Sequence, residues 1–393
     1  MKKILLYSFL LSSTFISAQI TFDIQTTGTT QDLKGTTCIP GSNRGWAAGT
    51  GGTILYTADG GITWTAQDSE VTATFEDIMW GASGTGELEF VWACGSSSTV
   101  VSTMDAGTTW DTQSEGAPYT AYAVHFQSFA NGIIVGDQFY ATSSNGGNAW
   151  SPTMTSSTAR AVDFVSATTG WLCGDGGIIK KTTDGGATWT DQTSGTTLGL
   201  HGINFINTNE GLACGFTGTI LHTTDGGTTW TAQTSNTANL LSDVKFYDAQ
   251  NGWACGYTGT ILRTTNGGTT WTPYFSGETG TAVWLQSIVL KNVNDGWVVG
   301  DDGVIITFSD NGESSGIEDL STIQVKLYPN PASSMLTIET EALIESIEIF
   351  DINGSMIQRE LTNNFSVTSL TNGIYFIHVK TNEGISTKRF IKE

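Results

Sequence analysis

The phrase Thr-x-Asp-x-Gly-x-Thr-Trp returns four times along the chain, as Thr57 to Trp64, Thr103 to Trp110, Thr182 to Trp189 and Thr223 to Trp230. Two further copies, Ser143 to Trp150 and Thr264 to Trp271, carry Asn for Asp, and a seventh keeps Asp310 and Gly312 without the Trp. From Asp59 through Asp105, Asn145, Asp184, Asp225 and Asn266 to Asp310 the copies stand 39 to 46 residues apart. That spacing is the length of one four-stranded propeller blade.

The rest of each repeat fits the same unit. An apolar strand ends in Phe or its substitute, at Cys38, Trp80, Phe126, Phe164, Phe205, Phe246 and Leu290. A second strand of the Gly-Trp-Ala-Cys-Gly kind follows, around Trp46, Trp92, Ile133, Trp171, Leu212, Trp253 and Trp297. A third, of the form Gly-Thr-Ile-Leu-x-Thr, runs into the Asp box, and a fourth begins at its Trp. Glycine at 48 residues, against only 6 Pro, suits short strands and tight turns rather than helices. The fold class is therefore all-β, a seven-bladed β-propeller.

The missing seventh Trp has a physical counterpart. Phe22 to Cys38 aligns without a gap on Trp189 to Phe205, sharing Gln25/Gln192, Gly28/Gly195, Leu33/Leu200 and Gly35/Gly202. The N-terminal segment is thus expected to supply the fourth strand of blade seven, which would close the ring and remove an exposed sheet edge.

Ahead of it, Lys2-Lys3, the apolar run Ile4 to Leu11 and Ser17-Ala18 before Gln19 form a signal peptide, residues 1–18. The apolar run is too short to span a bilayer, so no transmembrane segment is expected. With 37 acidic against 16 basic residues the chain is strongly acidic, which disfavours nucleic acid and anionic lipid as partners. Cys94, Cys173, Cys214 and Cys255 share one slot that other blades fill with Ala48, Val135 and Val299. They read as small buried core residues, not as a disulfide framework.

The Asp box itself is expected to be structural, its carboxylate or amide bonding turn N–H groups and its Trp packing between blades. The motif resembles the Asp boxes of sialidases and sortilin-type propellers. The whole repeat, over nearly all of residues 19–312, is similar to photosystem II stability/assembly-factor-like propellers. That resemblance implies fold and no photosynthetic role, and the Arg-rich binding surface associated with that family is missing here. Arg44, Arg160 and Arg263 belong to three different structural rows, so they do not make the triarginyl carboxylate site of a sialidase.

Asp77 and Asp243 share a row three residues before the Phe slot, and the paired carboxylates of a glycoside hydrolase would have to come from such a row. Seven-fold geometry is expected to hold them too far apart and to leave them as solvated carboxylates. His125, His201, His222 and His378 show no metal spacing, and no nucleophile elbow or phosphate loop is present. No cofactor and no metal are expected.

What remains is where the repeats disagree. Four residues before the Phe slot stand Lys34, Glu76, Tyr122, Arg160, His201, Ser242 and Gln286. Phe216 and Tyr257, like Asp175 and Asp301, begin the variable loop after the second strand. The connection from Trp271 to Leu290 is longer than its equivalents and carries Tyr274, Phe275 and Trp284, and Trp284 alone of the 13 Trp belongs to no repeat slot. Trp284 suits either sugar or peptide contact or a plug beneath the longer loop. The candidate ligand-binding rim is accordingly Lys34, Glu76, Tyr122, Arg160, His201, Gln286, Trp284, Phe216 and Tyr257. An insertion from Gly81 to Phe90 lengthens the first turn of blade two on the opposite face.

After a polar link, residues 313–322, the pattern changes to a small antiparallel β-sandwich over 323–393. Leu327-Tyr-Pro-Asn-Pro331, the Phe350-Asp-Ile-Asn-Gly354 turn, Gly373-Ile-Tyr-Phe376 and the basic end Thr387 to Lys392 resemble type A sorting domains of type IX secretion. The resemblance implies the type IX machinery as a partner. It also implies secretion to the outside, or to the outer surface, of a Gram-negative bacterium. The chain is expected to be a non-catalytic binding or interaction module with a glycan or protein ligand. A secreted polysaccharide-acting glycoside hydrolase and a structural surface or matrix protein are the alternatives.

Overall fold

The computed structural model describes residues 20–82, 89–97, 99–114, 119–276, 283–310, 326–340, 343–350, 356–381 and 384–392. The signal peptide, the 313–322 link, the turn at 351–354 and most of the Gly81 to Phe90 insertion lie outside them. The chain divides into two compact units, the first ending at Asn311 and the second beginning at Gly312.

Seven four-stranded antiparallel sheets make up the first unit. Blade four shows the plan: Ala159–Phe164, Gly170–Gly174, Ile179–Thr182 and Thr190–Gln192, paired in sequence order. The second strand is buried at every residue in six blades, and in blade two it is buried from Phe90 to Gly95. That explains its Gly-Trp-Ala-Cys-Gly composition, since only small residues and one flat ring fit between packed sheets. All five cysteines are free, and the four in the shared slot are fully buried.

Packing between blades repeats one contact. The second-strand Trp lies flat on the first-strand Phe of the following blade, Trp92 on Phe126 at 3.7 Å and Trp171 on Phe205 at 3.6 Å. The Asp-box Trp of that blade meets the same Phe edge-on, as in Phe205–Trp230 at 5.8 Å and Phe246–Trp271 at 6.0 Å. Truncating a ring in such a sandwich costs about 3–5 kcal/mol. Where blade one has Cys38 in place of Phe, Trp297 of blade seven packs against Trp64 instead, at 5.6 Å, and donates Nε1 to Thr36 Oγ1 at 2.7 Å.

The Asp box is a structural turn. Asp184 accepts the Thr188 amide at 2.9 Å and the Thr188 hydroxyl at 2.6 Å, while Thr182 Oγ1 accepts the amide of Gly186 at 3.0 Å. The Thr188 hydroxyl and amide hold the Asp184 carboxyl at about 2. Gly186 sits at φ +92°, a backbone conformation that only glycine takes without strain.

Blade seven is built from both ends of the unit. Leu285–Leu290, Gly296–Gly300 and Ile305–Asp310 are completed by Ile20–Gln25, which pairs antiparallel with Ile305–Asp310, Phe22 opposite Phe308. Gln25 Nε2 donates to Thr307 Oγ1 at 2.8 Å, and Thr27 Oγ1 to the Gly303 carbonyl at 2.8 Å.

The second unit has a three-stranded sheet (Lys326–Tyr328, Met335–Glu339, Asn364–Ser366) and a four-stranded one. The latter runs in the order Met356–Glu360, Ile344–Phe350, Gly373–Thr381, Gly384–Lys392. Leu336, Ile338, Ile347, Ile349, Ile377, Val379 and Phe390 form its core. Among the described residues no helix is long and apolar enough to cross a membrane.

Candidate functional site: the mouth of the central channel

The first strands of the seven blades surround a cavity of about 760 Å³. In every blade the ladder between first and second strands slips register by one residue near its start, between Leu33 and Gly35 in blade one and Ala159 and Ala161 in blade four, for example. The extra residue is the fourth before the Phe slot: Lys34, Glu76, Tyr122, Arg160, His201, Ser242 and Gln286. A β-bulge leaves its residue without a ladder partner and re-aims its side chain. All seven line the cavity, and Trp284 lines it with them. The variability of this slot thus has a backbone cause, because neither sheet pairing nor blade packing claims the side chain.

These groups are engaged by partners within and across blades. Lys34 Nζ meets Glu76 Oε2 at 3.0 Å. Arg160 makes a two-pronged bond to Asp175, Nε and Nη2 each at 2.9 Å, and its guanidinium lies 4.3 Å from the Tyr122 ring centre. The bond to Asp175 holds the Arg160 pKa above its ordinary value. Gln286 donates to Asp301 at 2.8 Å, and Trp284 donates its indole N–H to Ser242 Oγ at 2.6 Å. Phe216 and Tyr257 do not line the cavity itself. They stand behind it, 46% and 50% exposed, Phe216 edge-on to His201 at 5.0 Å and Tyr257 edge-on to Trp284 at 5.9 Å. Burial, with help from the Arg160 charge, pushes the His201 imidazole below its usual pKa.

Below the mouth lies a layer that the sequence reading missed. His125, Asp163 and Lys245 occupy the position just before the Phe slot and line the cavity together with Asp77 and Asp243. Their signal was present in the sequence as a polar or charged residue just before the Phe slot of an otherwise apolar strand.

Asp77 and Asp243 are not the solvated carboxylates expected. Asp77 Oδ2 accepts the Val124 amide of the next blade at 3.0 Å and Oδ1 its neighbour Ile78 at 2.8 Å. Asp243 accepts Val244 at 2.8 Å, Ser287 Oγ at 3.1 Å and Ile288 at 3.2 Å. The other members of these rows make the same strut: Asp163 accepts the Phe205 amide at 2.7 Å, Asn204 the Phe246 amide at 2.9 Å and Thr37 the Trp80 amide at 3.0 Å. An innermost strand has unpaired N–H groups facing the next blade, and side chains from the preceding blade satisfy them.

The electrostatics follow from that burial. Desolvation pushes Asp77 up to about 7 and Asp163 up to about 6, against the amide bonds and the Lys245 charge. Burial works against the Lys245 ammonium, but Asp243, Asp163 and Asp77 together raise its pKa. Burial, then Lys245, pushes His125 down to about 3. Lys245 Nζ is 3.7 Å from Asp243 Oδ1 and His125 Nδ1 is 3.7 Å from Asp163 Oδ1. The channel interior is thus an ammonium among three acidic side chains with a neutral imidazole beside them. Among the described residues no group of His, Cys, Asp and Glu is placed to hold a metal ion.

The three arginines stay apart in role. Arg263 lies over the Trp253 and Tyr274 rings on blade six and bonds Asn294, while Arg160 alone of the three lines the cavity.

Residues 326–393 match the secretion system C-terminal sorting domain. Residues 144–236 and 228–338 match the family of photosynthesis system II assembly factor YCF48. No curated protein matches the chain. Solved structures similar to the propeller include YCF48 bound to D1 peptide, with TM-score 0.61 and 16% identity over 73% of this chain and 96% of that one. YCF48 from Cyanidioschyzon merolae gives TM-score 0.61 and 21% identity, over 74% and 99% of the two chains. The GH74 xyloglucanase from Xanthomonas campestris gives 0.59 and 11%, over 82% of this chain and 60% of that one. At such identities the likeness is one of fold.

Proposed function

We propose that this chain, a photosystem II assembly-factor-like β-propeller exported to the cell surface or beyond by its type IX sorting domain, is a non-catalytic binding module. Its ligand, a glycan or a protein, seats on the channel mouth. The observation that carries this reading is the ring of seven bulge residues that have no ladder partner. They are chemically unlike one another, they gather at one cavity, and the strands that present them are otherwise repetitive. A fold that needed only to pack would fill such positions with small residues, as it does at Gly35, Ala123, Ala161 and Gly202 one step along.

Phe216, Tyr257 and Trp284 extend the rim with aromatic surface. That YCF48 is found with a bound peptide supports a ligand-holding use of this architecture. The proposed boundaries are 1–18 for the signal peptide, 19–312 for the propeller, 313–322 for the link and 323–393 for the sorting domain.

A hydrolase reading draws on Asp77 and Asp243. Both oxygens of each accept hydrogen bonds from the backbone or from Ser287, which favours a strut over an acid–base pair. Residues 19–312 should bind at least one member of a polysaccharide and peptide panel without releasing reducing ends. Binding should weaken in Arg160→Ala and Trp284→Ala. Turnover abolished by Asp77→Asn or Asp243→Asn would overturn the binding-module reading, and binding indifferent to Arg160 and Trp284 would overturn the site.

A further inference from the structure

We infer that the ligand of this mouth is an uncharged polysaccharide, stacked on the arc formed by Phe216, Tyr257 and Trp284. This rests on the binding-module reading and narrows it to one chemistry. The first ground is that the cations of the bulge ring and of the layer below it are already paired, Lys291 lying past the Phe slot at the other end of the first strand. Lys34 is held by Glu76, Arg160 by both oxygens of Asp175, and Lys245 lies among Asp243, Asp163 and Asp77. An anionic ligand would have to break one of these pairs and leave a carboxylate unsatisfied, which is expensive in a confined site.

The second ground is what the mouth leaves available. Phe216 and Tyr257 begin the equivalent loops of consecutive blades, and both are exposed. Trp284 commits its one N–H to Ser242, so it has only its ring to offer a ligand. The Tyr257 and Trp284 rings meet at 80°, two walls of a corner. His201 supports Phe216 edge-on. Burial, then the Arg160 charge, lowers the His201 pKa and disfavours the imidazolium. Gln286 keeps its Oε1 acceptor after bonding Asp301, and Ser242 keeps its hydroxyl proton after accepting from Trp284.

Aromatic surface interleaved with neutral donors and acceptors matches a pyranose, whose C–H face is apolar and whose rim is hydroxyl. The carboxylates nearest the mouth on blades seven and one are engaged locally, Asp301 by Gln286 and Asp32 by the Asp302 amide.

The test titrates the full mature chain with galactomannan, arabinoxylan and mixed-linkage β-glucan, with alginate and polylysine beside them, each at low and high salt. Binding to a neutral polysaccharide is expected, unchanged by salt because no ion pair forms. Tyr257→Ala and Phe216→Ala should weaken it about tenfold. Both side chains are exposed, so the variants should keep the wild-type melting temperature. Ile62→Ala, at an exposed residue of an Asp-box turn, should bind as wild type. Binding confined to alginate or polylysine, or no binding to any neutral polysaccharide, would overturn the inference. If such charged-polymer binding were still lost in Arg160→Ala, the mouth would stand as the site and only the ligand class would fall. Neutral polysaccharide binding indifferent to every mouth variant would refute the mouth as well.

Discussion

Phe22 is the residue through which the N-terminal strand should hold blade seven, and Phe22→Ala is the perturbation that isolates it. Its ring lies 6.0 Å from Phe308, 6.4 Å from Trp253 and 6.5 Å from Tyr274, so it joins the N-terminal segment to blades six and seven at once. Truncating a fully buried Phe costs about 3–5 kcal/mol. Phe22 is half-buried, so roughly 2 kcal/mol is expected. Spread over a unit of this size, that loss lowers the melting temperature by roughly 3 °C. Ile24, on the same face two residues on, is 46% exposed and provides the control. Ile24→Ala should change stability by no more than about 0.5 kcal/mol. Thermal and denaturant melts of residues 19–312 read both variants. Equal, small effects of Phe22→Ala and Ile24→Ala would show that the strand is an ornament on a ring already closed by the Trp297–Trp64 contact, and would refute its role as a fastener.

Two further outcomes follow from the channel and the tail. The native state keeps a proton on Asp77 up to about pH 7, whereas the unfolded chain releases it near 3.8. Native protein therefore binds more protons between those values, and stability should fall as pH rises through this window. Asp163, pushed to about 6, acts in the same sense; His125, pushed to about 3, opposes both below 6.5. Asp77→Asn should flatten the decline in the denaturation midpoint as pH rises from about 6 through 7; an unchanged slope would contradict the assignment. Deleting 323–393 should leave the propeller in the periplasm, read by fractionation, and undiminished surface display would refute the sorting role.

The fold was legible because a propeller repeats its constraints. A Trp pinned between sheets and a glycine needed at φ +92° recur at fixed spacing, and the ungapped match of Phe22–Cys38 to Trp189–Phe205 anticipated the pairing of Ile20–Gln25 with Ile305–Asp310. The rim was legible by subtraction, since a slot filled by Lys, Glu, Tyr, Arg, His, Ser and Gln answers to no packing rule.

What could not be read is what depends on contact between residues distant in the chain, within a blade or across blades. Arg160 and Asp175 are 15 residues apart, Lys34 and Glu76 42, and nothing local in the sequence says that they meet. The bulge that frees the rim residues is a backbone irregularity without a residue signature of its own. The struts made by Asp77, Asp163 and Asp243 depend on which neighbouring amides lack a strand partner, a property of the assembled ring.

The claim at the centre of this account is that the channel mouth holds the ligand. A crystal structure of the mature protein with the polysaccharide it binds tests that most directly. Sugar rings should lie against Tyr257 and Trp284, with hydroxyls within hydrogen-bond reach of Gln286. A sugar seated on the Asp-box turns or the outer strands, with the mouth empty, would contradict it.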